Sequence, residues 1–229
     1  MRRSGALIVF ARRPEPGRVK TRLCPPFTPL QAAELYRAML ADVLDVSAAL
    51  AARHGLDAWL AVTPAHACAE LACVCPTSFR VVAQRGPDLA ARMDWAFAEL
   101  AAGGASPILL RGSDSPALDG VSLDAALEAL AAHELVLCPD RDGGYNLVGL
   151  RRPAPGLFDH PMSTGSVLED TLRQAERLGL RARVLEPRFD IDRVEDLRSL
   201  ADERARSGGA QCPRTLAYLD SERLWPARS

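Results

Sequence analysis

Ala6-Leu7-Ile8-Val9-Phe10-Ala11 is followed, after a proline-rich loop, by Thr28-Pro29-Leu30-Gln31 and an apolar series at Leu35, Met39, Val43, Val46 and Leu50. The first segment is short, β-branched in its middle and ended by Arg12-Arg13, the pattern of a buried strand. Thr28 supplies an N-cap hydroxyl, Pro29 suits the first helical position, and Gln31 completes a capping box. The apolar series recurs every three or four residues, which marks one face of a helix, and Gly55 is placed to stop it. Asp57–Thr63 then reads as a second strand.

The same alternation continues down the chain. Thr63-Pro64 starts a short helix. Phe79–Ala83 reads as a third strand ending near Gly86-Pro87, and a helix from Asp88 to Ala101 stops at Gly103-Gly104. Pro107–Leu110 is a fourth strand and Leu123–His133 a helix. Leu135–Cys138 and Tyr145–Leu150 are strands around the loop Pro139–Gly144. Ser166–Leu178 is a helix capped by Gly179, Arg181–Leu185 a last strand and Val194–Arg206 a terminal helix. Strands alternating with helices of ten or more residues imply βαβ units and a mostly parallel sheet. The expected organisation is one α/β domain over 1–207 with a loosely packed tail over 208–229.

Composition agrees with that class. The 229 residues are 48% hydrophobic and 25% charged, an ordinary globular balance that excludes general disorder. A net charge of -1 argues against a nucleic-acid backbone as main partner. The charge is uneven, however. Arg2, Arg3, Arg12, Arg13, Arg18, Lys20 and Arg22 face only Glu15 within residues 1–22. A cationic segment on an acidic body suits a small anionic ligand, or is merely a basic tail. Lys20 is the single lysine beside 27 arginines, a bias read as genomic. No targeting segment or membrane span is recognisable, and the six cysteines lack the spacing of a zinc or redox motif. A cytoplasmic, reduced protein is expected.

Ligands of open α/β sheets bind beyond the carboxyl ends of the strands. Four segments leave those ends. Ala11–Leu23 surrounds Gly17 with cations, an arrangement for a di- or triphosphate or else a solvated loop. It contains neither GxxxxGK[ST] nor GxGxxG. Gly112-Ser113-Asp114-Ser115-Pro116 offers a carboxylate among small residues, able to bind Mg²⁺ or simply to make a turn. Asp140–Asn146 concentrates acid, base, glycine, tyrosine and amide in one hairpin. Asp190 and Asp192 fall on one side of an extended segment, completing a metal site with Asp114 unless Asp192 caps the following helix. His54 and His133 end helices, His66 carries no functional signal, and His160 lies in a loop that could border a cleft.

Phe10–Leu23, Gln84–Leu89, Gly112–Pro116, Asp142–Tyr145 and Asp190–Leu197, in this order, resemble a family of small bacterial GT-A-like transferases. Members are often described only as candidate glycosyltransferases and are associated with radical-SAM proteins. The resemblance runs from about residue 5 to 205 and implies the nucleotide-diphospho-sugar transferase fold, a Rossmann-like three-layer αβα sandwich with a mixed, mostly parallel sheet. The motifs are also similar to those of 2-phospholactate guanylyltransferase. Two departures stand out: Pro14-Glu15-Pro16-Gly17 replaces a glycine-rich opening, and the Asp-x-Asp pair is reduced to Asp114.

What the resemblance implies is a metal-dependent transferase with Mg²⁺ or Mn²⁺ at Asp114 and Asp190 or Asp192. Nucleotide and phosphates would meet Ala11, Arg12, Gly17, Lys20, Arg22, Gly86 and Asp88. Asp114 and Asp142 would act in catalysis, and Gly143, Gly144, Tyr145, Asn146, Ser163 and Thr164 would meet the substrate. Glycosyl transfer from a nucleotide-sugar to an unknown acceptor is the first expectation, nucleotidyl transfer the alternative and a non-catalytic nucleotide sensor a further one. Lys20→Arg is expected to keep the melting temperature and weaken nucleotide binding.

Overall fold

A computed structural model describes residues 5–226, so Arg2 and Arg3 of the basic segment lie outside the described residues. Its strands are β1 (Ala6–Arg12), β2 (Asp57–Thr63), β3 (Phe79–Ala83), β4 (Ile108–Gly112), β5 (Leu135–Pro139), β6 (Tyr145–Leu150) and β7 (Ala182–Val184). They form one sheet in the order β3-β2-β1-β4-β6-β5-β7. β6 runs antiparallel to both its neighbours, and every other pair is parallel. The helices are α1 (Pro29–His54), α2 (Cys68–Ala72), α3 (Leu89–Ala102), α4 (Gly120–Ala132), α5 (Val167–Arg177), α6 (Asp196–Ser207) and α7 (Pro213–Ser221).

Alternation along β1 separates the two faces. Ala6, Ile8 and Phe10 pack with Met93, Phe97 and Leu100 of α3 and with α5, and Phe97 stacks on Phe158. Leu7, Val9 and Ala11 face the other layer, where α1, α2 and α4 contribute Leu40, Leu50, Leu71 and Leu123. Strand period two against helix period 3.6 thus yields the three-layer sandwich expected from the sequence. The capping box is present: Gln31 N donates to Thr28 Oγ1 at 3.2 Å, and Thr28 N donates to Gln31 Oε1 at 3.0 Å. Gly55 ends α1 with φ 64°, the left-handed conformation glycine adopts without cost.

Several boundaries shift. β4 continues to Gly112, α4 starts at Gly120 behind an Asp119 cap, and α6 starts at Asp196 instead of Val194. The larger correction concerns the expected loose tail. Residues 213–221 form α7, whose Leu216 and Leu219, with Cys212, are buried against α1 and α6. The buried Asp42 carboxylate of α1 accepts from Thr215 N at 2.8 Å and Thr215 Oγ1 at 2.7 Å, capping the helix from outside. No helix among the described residues is long and apolar enough to cross a membrane.

Candidate active site

Parallel strands lie on both sides of β1, with β2 on one side and β4 on the other. The chain crosses from one half of the sheet to the other here, and loops leaving β1 and β4 diverge around a crevice. Lys20, in the loop after β1, and Asp114, in the loop after β4, meet across it. Lys20 Nζ lies 2.7 Å from Asp114 Oδ1 and 2.9 Å from Asp192 Oδ1. The lysine side chain is only 4% exposed, whereas Asp114 and Asp192 are 43% and 36% exposed. Burial alone would lower the Lys20 pKa, but the two carboxylates outweigh it and raise the value. Burial would likewise raise Asp192, and Lys20 with Arg22 pulls it below the ordinary value.

Three supports hold this centre. Tyr36 of α1 accepts from Arg12 N at 2.9 Å and shares a 2.7 Å hydrogen bond with Ser113 Oγ. Its ring lies 6.0 Å beneath Lys20 Nζ. Arg111, fully buried on β4, donates to Ser115 O at 2.8 Å and fixes the turn carrying Asp114. Ile191 N donates to Asp114 O at 2.9 Å, joining that turn to the segment carrying Asp190 and Asp192. Asp190 accepts from Ser115 Oγ, and its N–H donates to Asp140 Oδ1 at 3.2 Å. Burial, then Asp114 and Asp140, push the Asp190 pKa up to about 8. Tyr36 and Arg111 are not singled out by the sequence, whereas Asp140 opens the Asp140–Asn146 segment that is. Tyr36 offers no local signal, because it is one more core position on the α1 stripe.

Two cavities flank the centre. The first, about 570 Å³, is lined by Arg12, Arg13, Arg18, His66 and Arg92, with Glu15 as its acid. His66, given no role by its sequence context, stands on this wall. Arg92 carries no signal of its own in the sequence; its Nε donates to Gly86 O at 3.0 Å. The second cavity, about 590 Å³, joins Arg22, Asp192 and Arg193 to Asp140, Asp142, Gly144, Tyr145, Asn146, Ser163 and Thr164. Both volumes lie in the range of small-ligand sites.

Other expected site residues fall around these cavities. Ala11 is buried, and its carbonyl accepts from Gln84 Nε2 at 3.2 Å. Gly17 turns the basic loop with φ 75°. Asp88 caps α3, accepting from Ala91 N at 2.9 Å, and Gly86 packs where a Cβ would meet Arg92 N at 2.8 Å. Gly143 has φ 83°, and a Cβ there would stand 1.9 Å from Gly165 O, so the hairpin and the Ser163–Ser166 loop require glycine at their contact. Asp192 does not cap α6, which has no side-chain cap; the Asp196 carboxylate accepts instead from Asp192 N and Arg193 N in the segment ahead of the helix. His160 is occupied with Thr171 Oγ1 at 2.9 Å, and His54 pairs with Asp124.

Among the described residues no three His, Cys, Asp or Glu side chains are grouped to cage a metal ion alone. Two carboxylate oxygens nevertheless converge on one cation, the Lys20 ammonium. Mg²⁺ commonly takes one or two carboxylates and completes its shell with substrate phosphates and water. The hard, partly exposed Asp114–Asp192 pair fits that kind of ion.

The sheet, its crevice and relatives of this chain together define a nucleotide-dependent transferase with a nucleotide-diphospho-sugar transferase-like fold. The chain belongs to the family described as uncharacterized protein conserved in bacteria (DUF2064), which matches residues 44–164. It is 35% identical over 184 residues to 3-phospho-D-glycerate guanylyltransferase of Phenylobacterium zucineum, spanning 77% of this chain and 81% of that one. Over 88 residues it is 35% identical to 2-phospho-L-lactate guanylyltransferase of Methanopyrus kandleri, spanning 37% and 45%. A crystal structure of a candidate nucleotide-diphospho-sugar transferase from Desulfovibrio desulfuricans G20 superposes with a TM-score of 0.87. Identity there is 28%, with 97% of this chain and 96% of that one covered.

Proposed function

We propose that this protein is a nucleotidyltransferase that moves a guanylyl group from GTP to the phosphate of a small phosphorylated carboxylic acid. The observation that carries this reading is the likeness to 3-phospho-D-glycerate guanylyltransferase over 81% of that enzyme's length. It reverses the order expected from motifs alone, which put glycosyl transfer first.

The first cavity supports it through its charge. Arg12, Arg13, Arg18 and Arg92 line a space in which guanidinium forks can hold a triphosphate. The second cavity offers Arg22 and Arg193 to the acid's carboxylate and phosphate, with Ser163 and Thr164 hydroxyls beside them, on a wall that also carries Asp140, Asp142 and Asp192. An oxygen of the acceptor phosphate attacks the α-phosphorus, the bond from that phosphorus to the bridging oxygen breaks, and pyrophosphate leaves. A phosphate monoester, with a second pKa near 6, supplies its own lone pair at neutral pH. No side chain needs to remove a proton, and the second cavity has no histidine on its wall.

A divalent cation at Asp114 and Asp192 would add positive charge against the phosphate oxygens. The protein's own part is to hold those two carboxylates in one crevice through Tyr36, Arg111 and the Ile191–Asp114 backbone bond, and to keep donor and acceptor in line. Glycosyl transfer is the second reading, favoured by the structural likeness to the D. desulfuricans protein. Thermal shift with nucleoside triphosphates and nucleotide-sugars, each with Mn²⁺, separates the two. A ligand at 100 times its Kd adds about 2.7 kcal/mol. GTP is expected to give the largest shift; a larger shift with a nucleotide-sugar would favour the second reading.

A further inference from the structure

We infer that the Lys20 ammonium is the resident cation of the Asp114–Asp192 pair and competes with a divalent ion for it, so that metal is taken up together with nucleotide. The inference rests on the assignment of those carboxylates to the metal. Three observations carry it. The Nζ lies 2.7 and 2.9 Å from one oxygen of each carboxylate, so both are engaged by the same positive centre. That centre is enclosed: the side chain is 4% exposed and approaches from the protein side, while the carboxylates open toward the crevice. Lys20 also holds a left-handed backbone, φ 50° and ψ 34°, a conformation uncommon for a residue with a side chain.

The choice of residue points the same way. The chain places arginine at 27 positions and lysine at this one alone. A guanidinium is planar and forks onto a single carboxylate, whereas an ammonium is a compact point charge that two carboxylates can share, as they would share a metal ion. With no nucleotide present, a divalent ion approaching Asp114 and Asp192 meets a pair already neutralised. Nucleotide phosphates change that balance by giving the ammonium other anionic oxygens beside the loop it sits on. Lys20 thereby couples metal uptake to nucleotide arrival.

Mn²⁺ binding followed by electron paramagnetic resonance, without nucleotide or turnover, tests the competition. Lys20→Met, with Lys20→Gln as a second variant in case the first fails to fold, is expected to bind Mn²⁺ at least tenfold more tightly than the unmodified protein. Arg22→Gln, which removes a cation 3.7 Å from Asp192 on the exposed side, is expected to change Mn²⁺ affinity less than threefold. In the unmodified protein, a non-hydrolysable GTP analogue should raise Mn²⁺ affinity, and should raise it less in Lys20→Met. Unchanged or weaker Mn²⁺ binding in both Lys20 variants, or an equal gain in Arg22→Gln, would overturn the inference. Asp114→Asn separates this outcome from failure of the site itself. If Asp114→Asn binds Mn²⁺ as the unmodified protein does, the metal assignment falls, and the inference with it.

Discussion

Tyr36 Oη and Ser113 Oγ lie 2.7 Å apart inside the protein, and through this bond α1 holds the turn that carries Asp114. The same hydroxyl accepts from Arg12 N, so one phenol fixes both loops of the crevice. Tyr36→Phe keeps the ring but leaves a backbone N–H and a serine hydroxyl without their partner. Loss of about 1–3 kcal/mol in urea unfolding is expected, the range for stranding buried polar groups. Nucleotide affinity should fall as well. A variant as stable as the unmodified protein, with unchanged nucleotide binding, would remove Tyr36 from the account.

Lys20→Arg is not the mild change that an exposed loop would permit. Lys20 is enclosed and paired with two carboxylates, so the larger planar head has to be fitted into a packed site. Overpacking of this kind costs about 1–3 kcal/mol. The melting temperature should therefore fall together with nucleotide affinity. Calorimetric unfolding checks this, and an unchanged melting temperature would show that the site can open to admit the guanidinium.

Asp42→Ala should detach α7. The carboxylate takes three hydrogen bonds from Arg214 and Thr215 at the start of that helix, and charged bonds of this kind contribute about 1.5–3 kcal/mol each when buried. Limited proteolysis should cleave the variant near residues 208–212 faster than the unmodified protein. Equal cleavage rates would mean that Leu216 and Leu219 hold the helix without the cap.

Glu134 gives the protein an acid-sensitive element. Hydrogen bonds from the Arg181 side chain and backbone, with Arg151 nearby, hold its carboxyl down to about 2 from a usual 4.5. A carboxylate with a lowered folded-state pKa contributes stability above the unfolded value and loses it as pH falls through the folded one. That window runs from about 4.5 to 2. Unfolding measured across it should show a steeper loss for the unmodified protein than for Glu134→Gln; parallel profiles would contradict the pairing.

The sheet was legible because its strands are short apolar segments bounded by charge, proline or glycine, and α1 because Thr28-Pro29-Leu30-Gln31 spells its cap. α7 was missed because Gly208-Gly209 reads as the end of order, although Cys212, Leu216 and Leu219 recur at helical spacing. The site was legible as loops, since Lys20, Asp114, Asp142 and Asp192 all follow or adjoin strand ends. Its pairings were not. Nothing in the spacing of residues 20, 114 and 192 states that the lysine meets both acids, and Tyr36 is indistinguishable from core. Arg92 and His66 enter the basic cavity only because β2 and α3 flank β1 in space.

The identity of the transferred group is tested most directly by turnover with GTP, Mg²⁺ and 3-phospho-D-glycerate, following pyrophosphate and the mass of the product. One pyrophosphate released per product is expected, with a product in which GMP is joined through its phosphate to the phosphate of the acid. Release of a nucleoside diphosphate from a nucleotide-sugar with an acceptor, and no pyrophosphate from any nucleoside triphosphate, would contradict it.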